Sequence, residues 1–175
     1  KSIVWVVANN WKLPDKGIWE YRNEDRHFTF SKVLCWVAID RAIKVSELIQ
    51  NGISAQKWKP LRKEIFEDIM KNAWNEKKEA FTQSYDSEHL DASVLLMEPY
   101  GFLDSKNEKY IKTVKAIEKD LLKDGLMYRY KNIDDFGLPS SSFTELWSIV
   151  KSIVWVVANN WKLPDKGIWE YRNED

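Results

Sequence analysis

The chain has 175 residues, 44% of them hydrophobic, which is enough for one domain with a real core. Lys and Arg together number 27 and so do Asp and Glu, a net charge of zero that offers no electrostatic footprint for nucleic acid and no attraction to a membrane surface. The lone cysteine, Cys35, gives no disulfide framework and predicts a reducing, cytoplasmic setting, while no stretch is long enough for a membrane span and no secretory leader pattern is readable.

In chain order, residues 1–13 read as the tail of an apolar helix, stopped by Pro14 and an Asp15-Lys16-Gly17 turn. Next comes a short polar loop, Gly17-Ile18-Trp19-Glu20-Tyr21-Arg22, followed by Arg26-His27-Phe28-Thr29-Phe30-Ser31-Lys32. It sets one carboxylate beside a tryptophan. Such an arrangement can hold an acid in a low-dielectric wall, where desolvation favours the protonated form needed for proton donation. A loop that merely happens to carry Glu remains the competing interpretation.

Residues 28–50 form the next predicted helix, with Thr29 or Ser31 as its cap and Asn51-Gly52 as its close. Every position from Val33 to Ile39 is apolar, so this helix is expected to be buried on several sides. Residues 59–74 read as a surface helix: Pro60 suits its first turn, Leu61, Ile65, Phe66, Ile69, Met70 and Ala73 share one face, and charges occupy the other. A charged turn covers 75–80 and an irregular polar-aromatic segment 81–85. Asp91 caps a short apolar helix to Met97. Residues 107–122 are amphipathic, with Ile111, Val114, Ile117, Leu121 and Leu122 inward; 126–130 are extended and 134–142 form a loop. A last helix, 143–163, opens on a capping box, Ser142-x-x-Glu145.

Residues 151–175 repeat residues 1–25 without a single substitution. A diverged structural repeat would show substitutions and typically has a period of about 20–50 residues. Deliberate design, or a reading frame taken once and a little more around a closed sequence, accounts for identity over this length. The ends, lacking a starting Met, favour the latter and make the chain a fragment.

Alternating buried and surface helices are what a double ring of helices requires. The fold class expected is all-α, a partial (α/α)6 barrel with inner and outer helices alternating in an open arc. Residues 1–144 form the barrel fragment, and 145–175 an outer helix and loop. The odd number of helices breaks the alternation, so the duplication is not expected to continue into a closed toroid.

Pro14-Asp15-x-Gly17-Ile18-Trp19-Glu20, Arg26-His27-Phe28-Thr29-x-Ser31-Lys32-Val33 and Trp36-Val37-Ala38-x-Asp40-Arg41-Ala42 together resemble the catalytic domain of the glucoamylase and trehalase family, glycoside hydrolase family 15. Phe81-x-Gln83-Ser84-Tyr85, Leu90-Asp91-Ala92-Ser93, Gly101-Phe102-Leu103 and Tyr128-Arg129-Tyr130 continue it, in family order, to about Thr144. The resemblance implies inverting hydrolysis of an α-glucosidic bond in maltooligosaccharides, related glucans or trehalose, in a site at one end of the inner helices. It makes Glu20 the general acid and places Arg22, Arg26, His27 and Lys32 on the wall of the sugar pocket. Trp19, and with it Trp36, would face sugar, whereas Trp11, Trp58 and Trp74 would pack among helices.

Beyond Thr144 the family's pattern stops. Glu145-Leu146-Trp147 resembles the outer helix that precedes the Trp-Glu loop, so roughly half the barrel, including the segment with the general base, has no counterpart. Glu170 copies Glu20 but lacks the Arg-His-Phe-Thr segment that follows it. The chain is therefore expected to bind an α-glucoside without turning it over. The alternative is a non-catalytic helical module that binds carbohydrate or associates through its open inner face. His27 and His89 have no ligand partners at zinc spacing, and no phosphate loop, dinucleotide fingerprint or other cofactor motif is present. Neither a metal nor a cofactor is implied.

Overall fold

The computed structural model describes residues 3–21, 24–49 and 52–131. Four α-helices dominate: α1 (Ile3–Asn10), α2 (Thr29–Leu48), α3 (Gly52–Asn72) and α4 (Glu108–Leu121). A 3-10 helix, Ala92–Met97, lies between α3 and α4. Two antiparallel hairpins complete the described chain: β1 (Trp74–Asn75) with β2 (Ala80–Phe81), and β3 (Leu122–Lys123) with β4 (Leu126–Met127). The fold is thus mostly helical, with hairpins where a charged turn and an extended segment were expected.

The principal packing is α2 against α3. Glu47 pairs with Lys59 and Asp40 with Arg62, so the two helices run in opposite directions. Val33, Trp36, Ile39 and Ile43 of α2 meet Ile65, Ile69 and Ala73 of α3. The 3-10 helix and α4 close the far side of this core with Val94, Leu95, Met97, Tyr110, Val114, Ile117 and Leu121. Burying a Val, Leu, Ile or Met side chain contributes about 1.5–3 kcal/mol, so this one cluster supplies most of the drive to fold. Trp36 stands edge-on to Phe102 at 5.2 Å. It is a core residue, not a sugar-facing one, and Trp11 is buried in the same core with Trp58 and Trp74 packed against it, as expected.

Several local expectations are corrected. Helix α3 starts at Gly52, so Pro60 lies inside it rather than in the first turn. An interior proline costs a helix about 3 kcal/mol. Packing offsets that cost: Ala55 is buried and Trp58 lies on the core, both before the proline. Helix α2 has no side-chain cap; its N-cap is Phe28. Instead, Phe28 bridges Ser84, and the Thr29 N–H donates to the Gln83 carbonyl at 2.9 Å. A strand-like pairing thus satisfies an orphan donor that Thr29 or Ser31 was expected to serve. Of the apolar run 33–39, Leu34 is 40% exposed. Leu122, expected inward, belongs to β3 and is exposed. By contrast, the Asp91 cap holds, its carboxylate accepting from the Ser93 N–H, and Asn107 caps α4 through Tyr110.

The first of the two identical segments supplies α1 and its packing on α2. The second copy, the 134–142 loop, the 143–163 helix and Asn51 lie outside the described residues. No described helix is long and apolar enough to cross a membrane.

Candidate functional site

The loop that carries Trp19 and Glu20 is fixed from both ends. Asp15 and Arg26 exchange main-chain hydrogen bonds of 2.8 and 3.0 Å, which pin its two ends together. Within it, one Asp15 oxygen accepts from the Gly17 N–H and from the Ser31 hydroxyl, each at 2.6 Å, tying the turn to α2. Gly17 sits at φ +69°, and a Cβ there would stand 2.9 Å from the ring of Phe28. Only glycine fits. The chain then turns through Glu20, whose N–H donates to the Gly17 carbonyl, and Tyr21, whose N–H donates to Lys16.

Glu20 is itself in the left-handed region at φ 51°. A non-glycine residue there carries backbone strain, and such strain gathers at functional sites. Glu20 is exposed, so the low-dielectric wall expected around its carboxyl is not formed by the described residues. The indole beside it is engaged elsewhere. Trp19 Nε1 donates to both oxygens of Asp91, at 3.1 and 2.9 Å.

Asp91 is only 2% exposed and is ringed by neutral donors. Oδ1 accepts from the Ser93 N–H and hydroxyl at 2.8 and 2.6 Å, and Oδ2 accepts from Gln83 Nε2 at 3.1 Å. Burial pushes its carboxyl up, against the hydrogen bonds from Ser93, Gln83 and Trp19 that favour the anion. Above the indole lies the Arg129 guanidinium, 5.3 Å from the ring centre. The ring therefore meets an anion at its N–H edge and a cation on its face, both matching the aromatic quadrupole. Tyr21, Phe28 and Tyr130 form a small second core against which Trp19 packs, with ring separations of 5.7 and 6.0 Å from Tyr21.

The remaining residues expected on a pocket wall divide. Arg26 Nε and Nη2 donate to Glu24 at 3.2 and 2.7 Å, and its guanidinium also lies 5.8 Å from the Tyr21 ring. Both Glu24 and Arg26, with residues 84–89, line an open cavity of about 580 Å3. His27 is half-buried and stacks on Tyr85 at 5.7 Å. The Tyr85 hydroxyl donates to Asp68, and burial together with that carboxylate pushes the phenol well up. Lys32 is placed differently. Its ammonium is buried and donates to the main-chain carbonyls of Trp11 and Leu13, at 2.7 and 2.5 Å, with Asp15 4.0 Å away. It is a strut between α2 and the end of α1, not part of a sugar-facing wall. Burial lowers its affinity for a proton, and Asp15 partly restores it. Arg22 lies outside the described residues.

Asp91 was visible in the sequence as a helix cap and as a member of a motif, and Gln83 and Arg129 only as members of motifs. Their junction at Trp19 spans 72 positions, a long-range contact that no local pattern encodes. Among the described residues, no group of three or more His, Cys, Asp or Glu side chains is placed to hold a metal ion.

Set against solved structures, this arrangement is a glycosidase-type helical fold. A wild-type glycosidase superposes with a TM-score of 0.69 at 13% identity, over 88% of this chain and 40% of that one. A glycosidase variant in complex with glucose gives a TM-score of 0.69 at 14% identity, over 86% and 38%. In sequence, residues 1–137 match the family Glycosyl hydrolases family 15, and the chain belongs to it. Among its relatives, the trehalase of Mycobacterium tuberculosis is 43% identical over 131 residues, covering 75% of this chain and 19% of that protein. The trehalase of Mycolicibacterium smegmatis is 41% identical over 131 residues, 75% of this chain and 20% of the relative. That of Thermoplasma acidophilum is 37% identical over 125 residues, 71% and 22%. The chain thus spans about a fifth of the length of these curated relatives.

Proposed function

We propose that this chain carries the acid half of an inverting α-glucoside hydrolase site, with Glu20 as proton donor and Trp19 as the plate against the sugar. The observation that carries the reading is the junction of the two. Trp19 is pinned by its N–H edge, and Glu20 follows it on an exposed left-handed turn. Aromatic faces suit the apolar faces of a pyranose, and a carboxyl beside the plate reaches the oxygen linking two rings. Arg26 and His27 lie on the same connection and extend the polar wall, as Arg22 would. The named activity of the relatives points to trehalose as the first substrate to test, with maltooligosaccharides second.

In the inverting reaction, Glu20 would protonate the leaving oxygen while a second carboxylate, about 6.5–9.5 Å away, activates water on the opposite face. No residue of this chain matches the family segment that bears that base. Residues 1–144 would then be one arc of an (α/α)6 barrel and 145–175 an added outer helix and loop. The chain would bind an α-glucoside and not release glucose.

Azide tests this directly, since it can attack the anomeric carbon without a base. Trehalose and azide incubated with the chain should yield β-glucosyl azide and glucose: the glycosidic C–O bond breaks, the C–N bond forms, and the Glu20 proton passes to the leaving hydroxyl. Without azide, no β-glucose should appear. Glu20→Gln should abolish the azide product while keeping trehalose binding. No azide product from the unaltered chain would overturn the acid assignment, and no heat of binding with trehalose or maltotriose would overturn the site itself. A second reading, a helical association module, draws on Leu34, Val45 and Leu48 of α2, all exposed apolar side chains. It expects a molecular mass that rises with concentration in light scattering, and a constant monomer mass would dismiss it.

A further inference from the structure

We infer that Asp91 is the positioning residue of this site, the group that sets the plane of the Trp19 indole and so the presentation of Glu20. The inference rests on the reading of Trp19 and Glu20 given above and adds a residue to it. Ser93, Gln83 and Trp19 all donate to Asp91, so its carboxylate joins the 3-10 helix to the Trp-Glu turn. Asp91 fixes the direction of the indole's N–H edge, while the Arg129 guanidinium bears on the ring face. The main-chain hydrogen bonds of residues 15–21 hold the turn, and Tyr21, Phe28 and Tyr130 pack against the ring.

The neighbouring amide makes a specific probe available. Gln83 Oε1 is buried with no hydrogen-bond partner, while its Nε2 donates to Asp91. In Asp91→Asn the new side chain keeps one acceptor oxygen for Ser93 and turns an amide toward Gln83. Gln83 can then flip and present Oε1 to that amide, with Nε2 taking the place in which Oε1 had no partner. What cannot be restored is the shorter bond from Trp19, because its donor would face the new N–H2 group. The variant therefore removes one interaction and preserves the cap beneath it.

The test is read on the 15N-labelled chain. The Trp19 indole resonance is assigned by its loss in Trp19→Phe, which leaves the identical Trp169 in place. In Asp91→Asn this resonance should move upfield and its proton should exchange with water about tenfold faster or more, the factor carried by one charge-assisted hydrogen bond. Other indole resonances should stay. An unmoved Trp19 resonance in both Asp91→Asn and Asp91→Ala would overturn the hold. Trehalose added to the unaltered chain should perturb the Trp19 resonance, and Asp91→Asn should weaken that affinity about tenfold. Equal affinity in the two would overturn the positioning role even if the resonance moves. Failure of the unaltered Trp19 resonance to respond to trehalose or maltose would sink the sugar-site reading, whereas the resonance shift alone would still judge whether Asp91 holds the ring.

Discussion

Asp40 and Asp91 are equally buried, each 2% exposed, yet their surroundings are opposite. Asp40, on α2, is met by Arg41, Lys44 and Arg62 at 2.5, 2.8 and 2.8 Å. Burial would raise its carboxyl, but the hydrogen bonds from Lys44, Arg62 and Arg41 outweigh it and hold the group below the usual range. Asp91 has only neutral donors and is pushed up by the same burial. One carboxylate is therefore a fastening: Arg62 ties α3 to α2, and Arg41 reaches on to the Tyr100 carbonyl. The other is a support, holding the Trp19 indole by its N–H edge. Equal burial tells nothing about role; the charge of the partners does.

The sharpest way to break this comparison is to remove the fastening. Asp40→Ala should cost about 3 kcal/mol in urea unfolding, the low end for a broken buried pair because its bases can rehydrate. Asp91→Asn should cost less than about 1 kcal/mol while disturbing Trp19, since the hydrogen bonds beneath it survive. Equal losses would erase the distinction.

The turn itself comes next. Gly17→Ala should lose about 2 kcal/mol, combining left-handed strain with a clash against Phe28, and should broaden the Trp19 resonance in NMR spectra. Lys32→Met asks on which side of the comparison a third buried charge belongs. A strut should show about 1–2 kcal/mol of lost stability from two abandoned carbonyls, with trehalose affinity retained. A loss of affinity at unchanged stability would return Lys32 to the pocket wall.

The smallest effect is on pH. A carboxyl held below its ordinary 3.8, as Asp40 is, contributes stability present above that value and lost as pH falls through its folded pKa. A raised carboxyl, as Asp91 is, contributes stability present below 3.8 and lost as pH rises through its folded pKa. Acidification from neutrality should thus first favour the fold through Asp91, then weaken it through Asp40. Melting curves of Asp91→Asn should lack the first phase, and those of Asp40→Asn should have a diminished second phase.

What could be read beforehand follows the range of each interaction. Helix α4 was legible because Val114, Ile117 and Leu121 recur at helical spacing, all within one segment. The Asp91 cap of the 3-10 helix was legible for the same reason. The start of α3 was not, because Pro60 signals a first turn locally while Ala55 and Trp58 earn their places by packing on distant residues. In the site, the turn chemistry of Asp15 and Gly17 was visible, and the family pattern pointed to Trp19 and Glu20. The partner of the indole was hidden, since Asp91 looks like any helix cap until the chain folds back on it. Lys32 misled for a related reason: a cation within a motif reads as ligand-facing, and only the fold reveals the carbonyls of Trp11 and Leu13 behind it.

That ammonium bears on the duplicated sequence. The lysine that clasps the end of α1 stands at position 32, outside the repeated residues 1–25. The grip on that segment therefore comes from a part of the chain that the repeat does not include, and what a stretch of amino acids becomes depends on the neighbour it meets.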